Sequence, residues 1–422
     1  MDNVTHALAG LLLADLTVHQ LARRTRAPVD RGVRRTAAVL GVVAAEFPDL
    51  DILYSGPVLG MGKLGYLLHH RGHTHTVLVA LVCAVLLWGL TLALSRAVRD
   101  GPARGAMLAL ALAGTLSHVL LDFTNSYGVH PFWPLDNAWY YGDAVFIVEP
   151  WLWVIAIPPL LFGARSVAGR GLLALALLAI LGASWMLGVV PRGIAALLTG
   201  AAIVWLAGAR ALPAPRAVGL ALGAWLAFES LGFAASRAAH AQVAAAVTAG
   251  LADVVLTPAA ADPLCFDAIV VEATDMDYRA TRASVAAWPA LRDVAACGAA
   301  PSREAVLGGP TAGLGGGLVP STRAPTVAIA WRTTWAAPRD ELVAIAARCD
   351  VRAALGFMRV PVWEIAPDGA VRLSDLRYGF GGDGFADVAF GAATGPCPRF
   401  VPPWVPPRAV EAGIGAERTV GG

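Results

Sequence analysis

Four of the chain's nine histidines fall within seven residues, in the run His69, His70, Arg71, Gly72, His73, Thr74, His75. A membrane-length apolar stretch follows over 76–94, which places these imidazoles at the mouth of a helix, where ionisable groups serve metals or ion paths. Gly72 permits close backbone approach, and Thr74 reads as the N-cap of the helix to come. Amide donors at that helix start, with the Arg71 guanidinium, could hold an anion such as phosphate. The plainer alternative for Arg71 is an interfacial anchor reaching towards lipid headgroups.

Three further places carry compatible chemistry. His118 and Asp122 stand four apart, so on a helix they share a face and can reach one ion, although such a pair can equally be a structural hydrogen bond. Asp49 and Asp51 follow Pro48, which ends a helix; carboxylates so close repel unless a cation or arginine lies between them, and a solvated turn is the alternative. His6 opens the first apolar segment. His6, Asp49, Asp51, His70, His75, His118 and Asp122 together offer four imidazoles and three carboxylates from four elements. This mixture suits zinc, with manganese also compatible, and exceeds the needs of one tetrahedral ion, so two or more ions are expected. Such a centre would produce hydroxide near neutral pH and clamp both oxygens of a phosphoester displacement. Asp49 or Asp51 could instead act as general base through water.

These residues need elements to position them. With 422 residues, 57% hydrophobic and only 15% charged, and a mean hydropathy of +0.62, the chain is too apolar for a soluble globule. A net charge of +2 gives no argument for nucleic acid. Apolar helix-length segments lie near 4–21, 33–47, 74–94, 105–123, 144–163, 171–189, 194–209 and 217–235. The first two are short or polar enough to be re-entrant. Residues 1–21 lack the features of a cleaved leader. Alternate connections hold thirteen arginines: Arg23, Arg24, Arg26, Arg31, Arg34 and Arg35, then Arg96, Arg99 and Arg104, then Arg165 and Arg170, then Arg210 and Arg216. The other connections hold only Lys63, Arg71 and Arg192, so the N-terminus, every candidate ligand and the C-terminal region are expected outside the cytoplasm.

The expected architecture is therefore a multi-pass α-helical membrane domain of about eight helices over 1–240, followed over 241–422 by a small, mostly β or α+β extramembrane domain. Its β-branched runs at 267–271, 326–331 and 360–365 are separated by Pro and Gly. A glycine-rich loop at 308–320 and a loose tail from 402 are expected. Cys265, Cys297, Cys349 and Cys397 suggest two disulfides in any of three pairings, while Cys83 lies mid-membrane as a packing residue. Between 125 and 143, Tyr127, His130, Phe132, Trp133, Trp139, Tyr140 and Tyr141 read first as an interfacial aromatic belt and second as the wall of a lipid cleft. Asp136, Asp143 and Glu149 are candidates to support the ligands.

The motifs at 1–10 (MDNVTHALAG), 48–51 (PDLD), 70–76 (HRGHTHT) and 117–122 (SHVLLD), with 122–128 (DFTNSYG) and 132–134 (FWP), resemble the YdjM family of membrane-bound metal-dependent hydrolases over about the first 150 residues. That family is remotely similar to zinc-dependent phospholipase C and the P1-type nucleases. The resemblance implies a hydrolase in which His6, Asp49, Asp51, His70, His75, His118 and Asp122 match recurring positions. His73 stands where the family varies, and Glu149 before Pro150 replaces the family's aspartate. Residues 359–363 and 375–378 faintly resemble the longer members.

The expectation is a multi-pass inner-membrane, metal-dependent phosphoester hydrolase acting on a membrane lipid or lipid-linked substrate, with Asp49, Asp51 and Arg71 as catalytic residues and no nucleic-acid partner. The alternative is a non-catalytic membrane protein in which a metal staples the helices and the extramembrane domain binds a partner. An ion or proton transporter is a third class, opposed by the gathering of all ligands at one face.

Overall fold

The computed structural model describes residues 1–56, 58–247, 249–297, 317–379 and 384–415. Eight described helices fall on the expected apolar segments, with three short, unexpected ones between them: in chain order they are α1 (Asn3–Thr25), α2 (Arg31–Glu46), short α3 (Ile52–Ser55) and α4 (Gly62–His69), α5 (Val77–Leu94), short α6 (Arg96–Arg99), α7 (Arg104–Phe123), α8 (Pro150–Gly163), α9 (Val167–Met186), α10 (Arg192–Ala211) and α11 (Ala214–Ala246). Among the described residues, α5, α7, α9, α10 and α11 are long and apolar enough to cross a membrane. The expected count of about eight is reached only by adding α1, α2 and α8. Helix α1 carries Asp15, His19 and two terminal arginines, α2 has 16 residues, and α8 has 14 with Pro158 and Pro159 inside it. Half of the apolar window of α7 is buried against 17% for α5 and α9, which makes α7 the central helix.

Small residues let the site-bearing helices approach. A Cβ on Gly10 of α1 would stand 2.3 Å from the Gly41 carbonyl oxygen of α2, and one on Gly114 of α7 would stand 2.7 Å from the Ala44 side chain. Such contacts are how helices pack where lipid removes the usual hydrophobic drive. Glycine is required at both positions.

Helix α11 continues through residue 240 to Ala246, and its last turns lay Ala235, Ala239 and Val243 against Val254, Leu256, Phe266 and Val285 of the following sheet. That sheet contains β1 (Leu251–Ala259), β2 (Asp262–Ala273), β3 (Asp277–Ala286), β4 (Val319–Pro320) and β5 (Ile329–Pro338), all antiparallel in the order β1-β2-β3-β5-β4. A second antiparallel sheet joins β6 (Pro361–Ile365), β7 (Val371–Asp375) and β8 (Asp387–Phe390). Disulfides pair Cys265 with Cys297 and Cys349 with Cys397. Most of the expected glycine-rich loop lies outside the described residues, and its described end contributes β4.

The two domains share one core. Leu67, Leu68, Tyr127 and Trp139 of the helical domain are buried together with Trp335, Phe357, Trp363 and Leu373. The tail is not loose over its described part: Trp404 is buried with its indole N–H donated to the Leu68 carbonyl, and helix Arg408–Ile414 buries Ala409 and Val410. The alternating proline and apolar residues of 401–407 form a strap rather than a tail.

Candidate metal centre

Four elements deliver the candidate ligands to one end of the helical domain, the end on which the β domain sits. Asp2 caps α1 through the Thr5 N–H, which sets His6 on the first turn. Pro48 stops α2 and turns the chain into a 3-10 segment, Phe47–Asp51, that presents both aspartates. After α4 ends at His69, Arg71 takes a left-handed φ of 60° and a further 3-10 turn, His73–His75, precedes α5. Strain of this kind persists where surrounding contacts fix it. Here the Arg71 N–H donates to Asp51 Oδ2 at 3.0 Å. The expected cap is corrected: Thr76, not Thr74, caps α5 through the Val79 N–H, because Thr74 spends its hydroxyl on Asp51 Oδ2 at 2.7 Å.

Two overlapping donor groups result. Asp49, His75, His118 and Asp122 form one, Asp49, Asp51 and His70 the other, and within each group the ligand atoms lie within 4.8 Å of one another. His6 adjoins the first group, stacked on His118 at 3.8 Å with its Nε2 3.2 Å from Asp122 Oδ1. All seven sequence candidates thus meet. Arg71 meets them too: its Nη2 lies 3.0 Å from Asp122 Oδ1, its Nη1 donates to Asn125 at 3.0 Å, and its guanidinium covers the Tyr127 ring at 4.6 Å. It is buried beside the ligands, which rules out the headgroup anchor. The Met1 amino group also contacts Asp122.

The arrangement fits divalent ions on three structural grounds. His118 Nδ1 faces the Ala45 carbonyl at 2.5 Å; a proton held there leaves Nε2 with its lone pair turned inward, as a ligand requires. That Nε2 stands 3.0 Å from His75 Nε2, so two ring nitrogens converge on one point among the carboxylates. Finally, His6 Nδ1 is buried with no hydrogen-bond partner, and the buried Asp49 Oδ1 and Asp122 Oδ2 are met by the His75 ring, at 3.3 and 3.0 Å, and by the His118 ring, at 3.4 and 3.5 Å. A buried polar atom left without a partner is costly unless something else satisfies it.

Electrostatics of the protein alone point the same way. Burial opposes ionisation of Asp49, but hydrogen bonding to His118 and His75 overcomes it and holds the carboxyl well below the usual range. Asp51 behaves likewise through His70 and His75. His75 would be made less basic by burial, yet hydrogen bonds to Asp122, Asp49 and Asp51 raise it to about 10. The carboxylates demand positive charge at this point, and the imidazole supplies it in place of a cation.

Other candidates are placed elsewhere. His69 bonds the Phe400 carbonyl at 2.8 Å, and His73 packs edge-on to Trp133 and against Trp404. The aromatic connection is not a lipid belt: Tyr127 and Trp139 are buried against the β domain, and His130 stacks on Trp404 at 3.7 Å, while Phe132 stays exposed. Of the expected supporting carboxylates, Asp136 bonds Tyr140, Asp143 pairs with Arg359, and Glu149 caps α8. Sequence reasoning noticed Arg359 and Arg377 only as faint motif matches. Arg359 is bidentate to Asp143 at 2.7 and 2.9 Å, and Arg377 reaches from Asp375 to the carbonyls of Ser126 and Tyr127.

Residues 1–192 match the family model described as YdjM inner membrane protein, and that stretch contains every candidate ligand. Neither the curated proteins nor the solved structures contain a match to this chain. With the five apolar helices, the family match makes this a membrane protein.

Proposed function

We propose that this membrane protein is a metal-dependent hydrolase whose substrate is a phosphoester in a lipid or lipid-linked molecule. The observation that carries the reading is the pair of donor groups sharing Asp49. Asp49, His75, His118 and Asp122 would hold one ion and Asp49, Asp51 and His70 a second, zinc suiting the His-rich set and manganese the carboxylates. Ions bound there supply Lewis acidity and an acidified water. The chain's own groups do the rest. Ala45 orients His118, and Thr74 with the Arg71 N–H locks Asp51 beside His70. Asp51 is thereby held in one orientation as a ligand. Asp49, partly exposed and common to both donor groups, stays ionised beside His75 and His118 and would hold the ions. Arg71 offers positive charge to a phosphoryl oxygen.

The site and the β domain share one end of the helical bundle, and we place that end outside the cytoplasm, on the arginine asymmetry and the two disulfides. A single cysteine replacing Leu135, which is 94% exposed, should react with an impermeant maleimide in intact spheroplasts; labelling only after lysis would reverse the orientation.

The test is metal analysis of the purified full-length protein with phosphodiesterase assays on phospholipid vesicles. About two ions per chain and turnover are expected, with His118→Ala and Asp122→Ala losing at least about a thousandfold in rate, the scale of removing a unit that generates the nucleophile. Equal rates in wild type and variants would remove the catalytic assignment. Complete burial of His75, His118 and Asp122 favours a second reading, a metal staple joining α1, α2, α5 and α7. Chelation then lowers thermal stability in a protein with no turnover, whereas a catalytic centre loses activity before fold.

A further inference from the structure

The donor groups are walled on one side by phenols that no protein group satisfies. Tyr127 is buried, its ring 5.8 Å from that of His70, and its hydroxyl has no hydrogen-bond partner. Tyr378 comes from the other domain, in the Leu376–Tyr378 turn after β7, its ring 6.2 Å from Tyr127, and its buried hydroxyl is also unpartnered. Arg71 Nε, on the guanidinium that covers the Tyr127 ring and reaches Asp122, is a third buried polar atom without a partner. Burial raises the pKa of both phenols, which keeps their protons on and leaves them able to donate.

An unsatisfied buried hydroxyl is destabilising. Here two of them, with a guanidinium N–H, line one side of the cluster. The turn bearing Tyr378 is not free to drift: Arg377 binds Asp375 at 2.7 Å and the Ser126 carbonyl at 2.6 Å, so the adjoining residue is pinned to the loop that carries Tyr127. Three donors held rigidly beside a candidate metal centre form a receptor for an oxyanion.

We propose that the β domain completes the site, Tyr378 joining Tyr127 and Arg71 in a wall that donates hydrogen bonds to the non-bridging oxygens of a phosphate group. The inference rests on the metal-centred reading above and assigns its substrate wall to both domains. It gives the C-terminal domain, which lies beyond the family match at 192, a direct part in binding.

The test uses zinc-loaded full-length protein in detergent and calorimetric titration with two probes, inorganic phosphate and dihexanoyl phosphatidic acid. Tyr378→Phe and Tyr127→Phe keep the rings, and each should weaken phosphate binding about tenfold, the loss of one hydrogen bond to a charged acceptor, with zinc content unchanged. Tyr278→Phe is the control, since its hydroxyl is also buried and unpartnered but packs among Trp335 and Trp363 in the β-domain core; no change is expected. Weakening for the phosphatidate alone supports the wall as a reader of lipid phosphate. Wild-type affinity in both tyrosine variants at full zinc content overturns the inference and leaves the metal-dependent reading standing. An equal loss in Tyr278→Phe overturns it as well. Failure of the zinc-loaded wild type to bind either probe removes the phosphoester reading together with the inference.

Discussion

Two buried charged assemblies lie side by side in this protein, and they are built on opposite principles. At the seam between the domains, Arg359 is bidentate to Asp143, bonds Asp253 at 3.2 Å and stacks on Tyr141 at 3.9 Å, while the Asp143 carboxylate also accepts the Leu256 N–H. Arg377 likewise engages Asp375 and three carbonyls. Opposite charges there are matched by donor and acceptor. In the centre formed by His6, Asp49, Asp51, His70, His75, His118 and Asp122, four imidazoles and three carboxylates crowd together without one-to-one pairing, and His6 Nδ1 has no hydrogen-bond partner. A satisfied buried network specifies structure; an unsatisfied one, held together by strain and tight packing, marks a place made for something else.

The comparison breaks most visibly at Arg359. Arg359→Ala leaves Asp143 and Asp253 buried without their cation, and losing one member of a buried pair typically costs about 3–5 kcal/mol. A lower melting temperature is expected, by the same amount with and without chelator. If chelation changes the size of the loss, the seam is coupled to the centre and the two assemblies are not independent.

The centre should respond in the reverse way. With zinc at about a hundredfold excess over its dissociation constant, binding to the folded state alone adds about 2.7 kcal/mol, which chelation removes. Asp49→Asn should abolish that zinc-dependent gain, since Asp49 belongs to both donor groups, while in chelator the variant should still melt lower than wild type, by a smaller margin, because His75 and His118 lose a carboxylate that pairs with them. Thermal melts with and without zinc check both statements. Destabilisation in chelator equal to that in zinc would make Asp49 a structural group like Asp143.

These two assemblies also differ in how far the sequence reveals them. The ligands are legible because each sits in a short motif at a helix end, where period and polarity speak locally: two aspartates after Pro48, histidines before a long apolar run, His118 and Asp122 one turn apart. The seam is invisible by the same logic. Arg359 finds Asp143 across 216 residues and Arg377 finds the Ser126 carbonyl across 251, distances over which no pattern in the chain carries. The aromatic connection at 125–143 was open to misreading for a related reason: a Trp or Tyr beside a membrane helix has the same composition whether lipid or a second domain covers it. Thr74 and Thr76 differ by two positions, and only the competing claim of Asp51 on Thr74 decides which one caps α5. Among three disulfide pairings, the choice rests on sheet geometry the sequence does not display.

Glu149 lies between the two principles. Its carboxyl accepts the Trp151 N–H at 3.2 Å and the Ala261 N–H at 3.2 Å, tying the start of α8 to the β domain, and the acids Glu229 and Asp262 lie near it. Burial raises its pKa from 4.5 to about 8, the two backbone donors opposing that rise and the neighbouring acids adding to it. The folded chain therefore keeps a proton that the unfolded chain releases, so this contribution to stability is full below pH 4.5 and is lost as the pH climbs through about 8. Glu149→Gln cannot ionise, so melting curves from pH 5 to 8.5 should fall more steeply for wild type than for the variant. Parallel curves would mean that the two backbone donors keep Glu149 ionised in the fold, and hydrogen bonding alone would then suffice to place a carboxylate among the satisfied groups of the seam.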